Sequence, residues 1–371
     1  MDTLDFKDTP PPETIASANG FNPINYRSIM PSKRNFGLDL ARAIAITMVF
    51  LSHGVSALDT LGVGVDLFFL LSGFLIGRIY LRSQMDAHDA PGTFTLWGFW
   101  SARWFRTLPP YLAALGLFAL AEPYFHNNPI HPYYLIFAQN YVGVTGFGPS
   151  WSLCVEEHFY LALPLIGYAV LRFVGRRRLV WVLPVLALVP QILRTVATLG
   201  GGLPANWYWR THLHCEGLIL GVWLAYVFVD RVELWRRLRR PAMPLAAIPV
   251  AILVYQNVVT EQPLAFRATV FLLYAVGYAA WLRLLYDVRW EPVSSPAKLV
   301  KATVHGIALA SYSIYLMHTL LFTDVRLLVD AWPRGAVKSG TILACAVVGS
   351  VVFYFAVERP TILLRDRVLK H

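Results

Sequence analysis

Long apolar runs, separated by short polar segments, make up most of the chain after residue 35. Each run is about long enough for an α-helix to cross the roughly 30 Å hydrocarbon core of a bilayer. A shorter apolar run at 132–142 is ambiguous and fits a re-entrant or surface segment. The pattern predicts an all-α, polytopic membrane helix bundle of about ten transmembrane helices, at 38–56, 63–82, 104–122, 150–174, 178–198, 211–230, 243–260, 266–286, 304–323 and 340–357.

The composition favours burial of these runs in lipid. Of the 371 residues, 56% are hydrophobic and 15% are charged, whereas about 25% are charged in ordinary soluble domains. A disordered chain is excluded, and a water-soluble domain is disfavoured because too few polar residues exist to cover the apolar ones. We therefore expect membrane lipids to be direct partners of the chain.

The distribution of basic residues predicts the orientation. The net charge is +10, and positively charged loops normally stay on the cytoplasmic side of a membrane. If the amino terminus is inside, 25 of the 32 lysines and arginines fall in inside segments, six fall in outside segments, and Arg42 lies within the first span. This bias predicts that both termini are cytoplasmic. It also explains the positive charge without a nucleic-acid partner.

Polar segments flank the predicted membrane unit. Residues 1–35 include Pro10, Pro11 and Pro12 and lack the apolar core of a cleavable signal peptide. We expect a disordered cytoplasmic tail at 1–35, one transmembrane domain at 36–358 and a short cytoplasmic C-terminal tail at 359–371. No loop is long enough to form a second, soluble domain.

Ionisable residues inside the apolar runs are candidates for function, because a bilayer makes them costly. Arg42 and His53 are eleven residues apart, so they share one helix face and lie about 16 Å apart along its axis. Alternatively, Arg42 extends to the interface and His53 is an ordinary core histidine. Most of the other groups are predicted to lie at similar depth in the outer half of the membrane: Asp66, Glu156, Glu157, His158, His212, His214, Glu216 and His318. Carboxylates beside imidazoles suit general acid–base catalysis, and a proton relay in a transporter would use the same groups.

Two arginines near the cytoplasmic end of the third run suggest an anion site. Arg103 and Arg106 lie about one helical turn apart, and guanidinium groups suit phosphate. Ordinary anchoring of a positively charged loop accounts for them equally well. The three cysteines form no CxxC pair, so we expect no metal site.

These segments resemble, in chain order, the motifs of the acyltransferase 3 family of multi-span membrane acyltransferases. Arg42 and His53 have the spacing of the family's arginine–ten residues–histidine motif, and Ser152 and Glu156 match its SxxxE motif. The remaining matches are Gly64–Gly77, the Arg103 and Arg106 pair, Ala310–His318 and the sequence Glu358-Arg359-Pro360. His158 stands where many members have glutamine. The SGNH hydrolase-like domain of some members has no counterpart in this sequence, so the resemblance is to the stand-alone form.

The resemblance implies an O-acyltransferase in a bacterial inner (cytoplasmic) membrane. It would move an acyl group, most often acetyl, from cytoplasmic acyl-CoA to a hydroxyl of a cell-envelope glycan or lipid-linked saccharide. Acetyl-CoA would then be a donor substrate. The rival interpretation is a proton-coupled transporter or flippase, in which the same polar groups relay protons. The acceptor, the length of the acyl chain and the oligomeric state stay open.

With this activity, His53 is expected to act as a general base or as a transient acyl carrier, oriented by Glu156 or Asp66. The donor's phosphates would lie near Arg103 and Arg106, with its extended arm along the face between Arg42 and His53. The expected site residues are, by role, Arg42, Arg103 and Arg106 for donor binding, His53, Glu156, Asp66 and His318 for catalysis, and Ser152, His214, Glu216 and Tyr315 for substrate contact.

Overall fold

The computed structural model describes residues 34–89, 95–125, 130–143, 146–204, 206–259, 261–333 and 335–368. Within these ranges the chain forms α-helices, short 3₁₀ turns and one π-helical turn at Tyr354–Glu358, and no β-strand. The helices are α1 Phe36–Gly54, α2 Gly64–Asp89, α3 Leu96–Phe125, α4 Gln139–Val142, α5 Ser150–Phe173, α6 Leu179–Ala187, α7 Val189–Leu199, α8 Glu216–Asp230, α9 Val232–Arg237, α10 Arg239–Leu245, α11 Ile248–Val258, α12 Leu264–Leu285, α13 Ser295–Leu328, α14 Ala336–Phe353 and α15 Arg359–Val368. The predicted all-α class is confirmed for the described residues. The expected disordered tail lies outside them, apart from its last two residues.

Eight stretches of the described residues are long and apolar enough to cross a membrane. Helices α3 and α8, which the sequence pattern also places across the bilayer, are not among them. Helix α8 has 15 residues, and α3 carries Arg103, Arg106 and Glu122 along its 30 residues. A multi-pass membrane helix bundle is therefore confirmed. The count of ten and the cytoplasmic side of both termini stay predictions.

Prolines divide two of the predicted spans into shorter helices. The run at 178–198 becomes α6 and α7, and Pro190 lies in the first turn of α7. The run at 243–260 becomes the end of α10 and the whole of α11, which has proline in its first turn. Proline lacks the backbone N–H that an inner helical turn needs, and the first turn of a helix, where it lies in α7 and α11, tolerates that loss. Helix α15 is a regular element at residues expected to form a tail, and it packs against α3.

Helices α2 and α8 pack closely, because glycine replaces larger residues where they cross. A β-carbon at Gly73 would lie 2.0 Å from the carbonyl oxygen of Leu218, and one at Gly221 would lie 2.4 Å from that of Leu70. Any other residue at these two positions would force the helices apart. Small residues commonly allow such close packing between membrane helices.

The outer surface of the bundle is apolar. Phe173, Leu199 and Trp181 are 82%, 83% and 75% exposed, and many other large apolar side chains are also exposed. A soluble monomer rarely exposes continuous apolar surface on this scale. The side chains pointing away from the bundle are therefore matched to lipid rather than to water.

Five helices surround the polar interior. Helix α13 packs along α1, α2 also packs against α1, and α3 and α5 meet α13 and α2 from the other side. The run at 132–142 contributes a 3₁₀ turn at Pro132–Tyr134 and the short helix α4. Asn140 of α4 donates hydrogen bonds to the carbonyl oxygens of Trp151 and Trp209, both at 2.7 Å. These bonds fix α4 across one end of the interior.

Candidate active site

Two neighbouring cavities lie between α1, α2, α3, α5 and α13. The arginine cavity, of about 120 Å³, is lined by Arg42, Ser72, Arg103, Arg106, Glu156 and Tyr312, among others. The histidine cavity, of about 390 Å³, is lined by His53, Asp59, Asn140, Trp151, His318 and Thr319, among others. Val65 and Tyr315 line both cavities. The polar interior therefore has cations in one cavity and imidazoles in the other, and the two cavities meet at these two residues.

Arg103 is held in the arginine cavity by residues of α5. Its guanidinium donates a hydrogen bond of 2.6 Å to the Tyr160 hydroxyl and lies 4.2 Å from the centre of that ring. A carboxylate oxygen of Glu156 is 3.9 Å away. The other oxygen of Glu156 accepts a 2.6 Å bond from the Ser72 hydroxyl of α2. Arg103 and Glu156 are thus both fixed by neutral partners, and α2, α3 and α5 are tied together at this point.

Arg42 and Arg106 bring two further positive charges to the same cavity. The three guanidinium groups lie within electrostatic range of one another. Neither Arg42 nor Arg106 makes a hydrogen bond or an ion pair within the described residues. The nearby carboxylate of Glu358 accepts bonds from the backbone N–H and the hydroxyl of Ser313. The cavity therefore combines three cations with Glu156 as its one lining carboxylate, an arrangement that suits an anion with several charges.

His318 has a defined tautomer in the histidine cavity. Its Nδ1 lies 2.6 Å from the carbonyl oxygen of Tyr315 and 3.2 Å from that of Ile314. Carbonyl oxygens only accept, so Nδ1 carries the hydrogen and, in the neutral ring, Nε2 carries the lone pair. Nε2 is buried and has no hydrogen-bond partner within the described residues. The His53 ring is 5.0 Å away, centre to centre. Two imidazoles, one presenting a lone pair, thus face the same space.

Tyr315 stands between the two cavities, one helical turn before His318. Its hydroxyl forms a short hydrogen bond with the Ser152 hydroxyl of α5. Ser152 itself lines the arginine cavity. The expected substrate contacts Ser152 and Tyr315 are thus brought together at the junction, where a group entering from one cavity would meet a group entering from the other.

Glu156 and Asp66, either of which was expected to orient His53, have other partners in the structure. The Asp66 carboxylate lies 2.7 Å from Nε2 of His214, and Nδ1 of that ring lies 2.7 Å from the carbonyl oxygen of Tyr208. The carbonyl requires a hydrogen on Nδ1, so the pair holds either an imidazolium with a carboxylate or a neutral ring with a carboxylic acid. Glu156 is likewise bonded to Ser72 and not to His53. Within the described residues, His53 has His318 as its imidazole neighbour and no carboxylate partner.

His214 and Glu216 do not line either cavity, contrary to the expectation that they contact substrate. Glu216 is paired with Arg194 of α7 at 2.5 Å, and both side chains are at most 1% exposed. The His214 ring stacks on Phe271 of α12 with ring centres 3.7 Å apart. The start of α8 faces α7 and α12, so its polar groups tie these helices together instead of reaching the polar interior.

Sequence reasoning missed several residues of the site. Tyr160 and Tyr312 were missed because the search was for charged residues, and a neutral tyrosine is an ordinary aromatic residue in a membrane helix. Ser72 is a small residue of a kind that commonly packs membrane helices, and nothing in the sequence indicates that its hydroxyl bonds to Glu156. Asp59 lies in the 3₁₀ turn Ser56–Val63, outside every predicted span. Among the described residues, no group of three or more histidine, cysteine or carboxylate side chains could hold a metal ion.

Comparisons with known proteins identify the family of the chain. Residues 35–359 match the sequence profile of the acyltransferase 3 family, described as an acyltransferase domain. The peptidoglycan O-acetyltransferase OatA of Listeria monocytogenes is 26% identical over 318 residues, covering 77% of this chain and 49% of that protein. A Staphylococcus aureus protein provisionally named an O-acetyltransferase is 27% identical over 215 residues, covering 52% of this chain and 34% of that protein. A Bacillus subtilis protein provisionally named a peptidoglycan O-acetyltransferase is 27% identical over 221 residues, covering 52% and 33%.

The chain spans between one third and one half of the length of these relatives. No solved structure is a significant match to it. The family profile, however, covers nearly the whole membrane unit, including both cavities. The chain therefore belongs to the acyltransferase 3 family.

Proposed function

We propose that the protein is an O-acyltransferase of a bacterial inner membrane. It transfers an acyl group, acetyl by analogy with its named relatives, from cytoplasmic acyl-CoA to a hydroxyl of a cell-envelope glycan or lipid-linked saccharide. One observation carries this proposal above all: the cavity with three arginines and the cavity with two histidines meet at Tyr315. Such an arrangement offers separate sites for an anionic donor and a hydroxylated acceptor.

The arginine cavity is the proposed donor site. The phosphates of acyl-CoA carry several negative charges, and guanidinium forks bind phosphate through paired hydrogen bonds. Arg42 and His53 are separated by about three turns of α1, or roughly 16 Å, so an extended thiol arm can bridge them. The thioester would then lie beside Tyr315, whose hydroxyl can donate a hydrogen bond to the carbonyl oxygen that becomes negative during attack.

The histidine pair is the proposed catalytic centre. A lone-pair nitrogen of His53 or His318 takes the proton of the acceptor hydroxyl as the oxygen attacks the thioester carbonyl. The carbon–sulfur bond then breaks, and the imidazolium returns the proton to the thiolate of CoA. His318 suits the role of base because its Nδ1 hydrogen is held by backbone carbonyls and its Nε2 is unpartnered.

An alternative for His53 is nucleophilic attack, which would produce a transient acyl-imidazole. Incubation with labelled acetyl-CoA, without acceptor, distinguishes the two routes. A trapped acyl group on His53 would favour the carrier route. Steady CoA release in the presence of acceptor, with no trapped species, would favour direct transfer.

The activity test compares three purified, lipid-embedded proteins: the native chain, His53→Ala and His305→Ala. His305 bonds to Asp39 and Arg34 at one end of the bundle and lines neither cavity, so it is a matched control. We expect all three to bind acetyl-CoA and only His53→Ala to lose CoA release, by about 10²–10⁴-fold. If the native protein binds no acyl-CoA, the donor assignment is refuted.

Transport is the second candidate, because polar cavities on both sides of Tyr315 also resemble a substrate path. A transporter or flippase would move its substrate unmodified and would need no acyl-CoA. Movement of a labelled saccharide lipid across vesicles in the absence of acyl-CoA, with no acylated product, would favour this alternative.

A further inference from the structure

An apolar groove lies on the flank of the bundle, outside both cavities of the candidate site. Its volume is about 490 Å³, and it runs between α5 on one side and α6 and α7 on the other. Helix α5 lines it from His158 to Leu171, with Ala162, Ile166 and Val170 forming one stripe. The twelve helical rises from His158 to Val170 give the groove a length of roughly 18 Å. This is more than half the thickness of the hydrocarbon core of a bilayer, about 30 Å.

The groove is open to the membrane along its edge and closed behind. Ile166 of α5 and Leu193 of α7 line it and are 55% and 40% exposed. Ile219 and Val222 of α8 line the rear, and Tyr80 of α2 closes the end away from His158. No carboxylate is among its lining residues, all of which lie in described parts of the chain. The shape and lining are those of a slot for a hydrocarbon chain that enters sideways from lipid.

Several polar side chains line the groove at its His158 end. The His158 ring bonds to the Thr211 hydroxyl at 2.8 Å, and the Tyr141 hydroxyl bonds to the His212 ring at 3.1 Å. Arg210 interacts electrostatically with His212. Its Nε donates to Asn206, and within the described residues its two terminal nitrogens have no hydrogen-bond partner. A headgroup at this end would thus meet two imidazoles, two hydroxyls and one guanidinium, a set that complements phosphate.

This polar end adjoins the histidine cavity. Asn140 and Trp209 line that cavity. Tyr141, which follows Asn140, lines the end of the groove, and Arg210, which follows Trp209, precedes the lining residues Thr211 and His212. The hydrogen bond from Asn140 to the carbonyl oxygen of Trp209 joins the two segments. A sugar attached beyond a phosphate at the groove end would therefore extend toward His53 and His318.

We propose that the groove binds the isoprenoid chain of a polyprenyl-phosphate-linked saccharide, and that this lipid is the acyl acceptor. The inference rests on the proposed function and narrows its acceptor to one class. The chain occupies the groove between α5 and α6–α7, the phosphate meets Arg210 and His212, and a sugar hydroxyl reaches the histidine pair. A single chain with a phosphate and a sugar matches the apolar groove, the polar side chains at its end beside Arg210, and the adjacent cavity together.

Binding is measured first, because it needs no turnover. Labelled undecaprenyl phosphate is titrated into native protein, Ala162→Phe and Leu165→Phe in nanodiscs. Ala162 lines the groove, whereas Leu165 lies on the same helix, is 52% exposed and does not line it. We expect Ala162→Phe to weaken binding by about tenfold or more and Leu165→Phe to leave it unchanged. Equal binding by all three proteins, or equal displacement of the label by phosphatidylglycerol, would overturn the proposal.

Two further measurements keep the test decisive. Retained acetyl-CoA binding shows that Ala162→Phe is folded, and Arg210→Gln, which changes no groove volume, should also weaken undecaprenyl phosphate binding. Acyl transfer is then compared between a polyprenyl-linked saccharide and the same saccharide without lipid. Preference for the lipid-linked form supports the proposal, and no preference overturns it. Absence of transfer to both, with groove binding intact, would refute the proposed function while leaving the groove as a lipid site.

Discussion

Replacing Glu216 by glutamine should destabilise the fold strongly, because Glu216 neutralises a fully buried cation. The Arg194 guanidinium is 0% exposed and lies 2.5 Å from a Glu216 oxygen. Removing one partner of such a pair costs about 3–5 kcal/mol, since it leaves the other charge without compensation. Arg194 also donates to the carbonyl oxygens of Ala268 and Leu213, which remain in the variant. We therefore expect a loss near the lower end, about 3 kcal/mol of unfolding free energy.

A second substitution tests the cause of that loss. In the double variant Arg194→Met with Glu216→Gln, the unpaired cation is gone, so part of the stability should return. The coupling free energy between the two positions is expected to be about 1–3 kcal/mol. Recovery should stay incomplete, because the carbonyl oxygens of Ala268 and Leu213 lose their donor.

The assay is reversible unfolding in mixed micelles, applied to the native protein, both single variants and the double variant. Acceptor KM is measured on the same samples under folding conditions. A Glu216→Gln protein as stable as the native one, with a raised acceptor KM, would refute the structural role of Glu216. It would restore this carboxylate as a substrate contact.

Three further outcomes follow from the site. Arg103→Lys should raise the acyl-CoA dissociation constant about tenfold and have a smaller effect on the single-turnover rate. The reason is that an ammonium cannot replace the planar guanidinium that contacts Tyr160 and, as proposed, phosphate. A larger loss in rate than in affinity would contradict this. Tyr315→Phe should lower the transfer rate about 100-fold at unchanged acetyl-CoA affinity, since only a hydroxyl is removed; equal rates would remove Tyr315 from the chemistry. Asp66→Asn should cost about 1–3 kcal/mol of unfolding free energy through its buried bond to His214, and unchanged stability in the same micelle assay would argue against that pair.

The sequence predicted the class of fold because lipid imposes a simple rule. Backbone polar groups in a bilayer must bond within their own segment, so each apolar run of sufficient length becomes a helix. Arg42 and His53 could be placed on one face of α1 because helix geometry fixes residues eleven apart. Both are at the polar interior, Arg42 in the arginine cavity and His53 in the histidine cavity. Helix periodicity was therefore enough to place these two residues relative to each other, because both lie in one helix.

Contacts between side chains of different helices could not be predicted in the same way. The sequence put Asp66, His214 and Glu216 at a similar depth to His53, and depth alone grouped them as one cluster. Depth does not fix the rotation of one helix relative to another. The close crossing of α2 and α8 at Gly73 and Gly221 sets that rotation, and it turns Asp66 toward His214.

The sequence by itself therefore determined a helical membrane protein, the polar residues that lipid would not tolerate, and the family motifs that carry Arg42, Arg103 and His53. Only the tertiary structure divided those polar residues into a set paired around His214 and Glu216 and a set lining the two cavities that meet at Tyr315. The physical reason is that the free energy of placing a side chain in lipid is set mainly by the residue itself, whereas hydrogen bonds and ion pairs depend on which helix faces meet. The apolar groove follows the same rule, because its lining residues are ordinary lipid-compatible side chains until α5, α6, α7 and α8 come together.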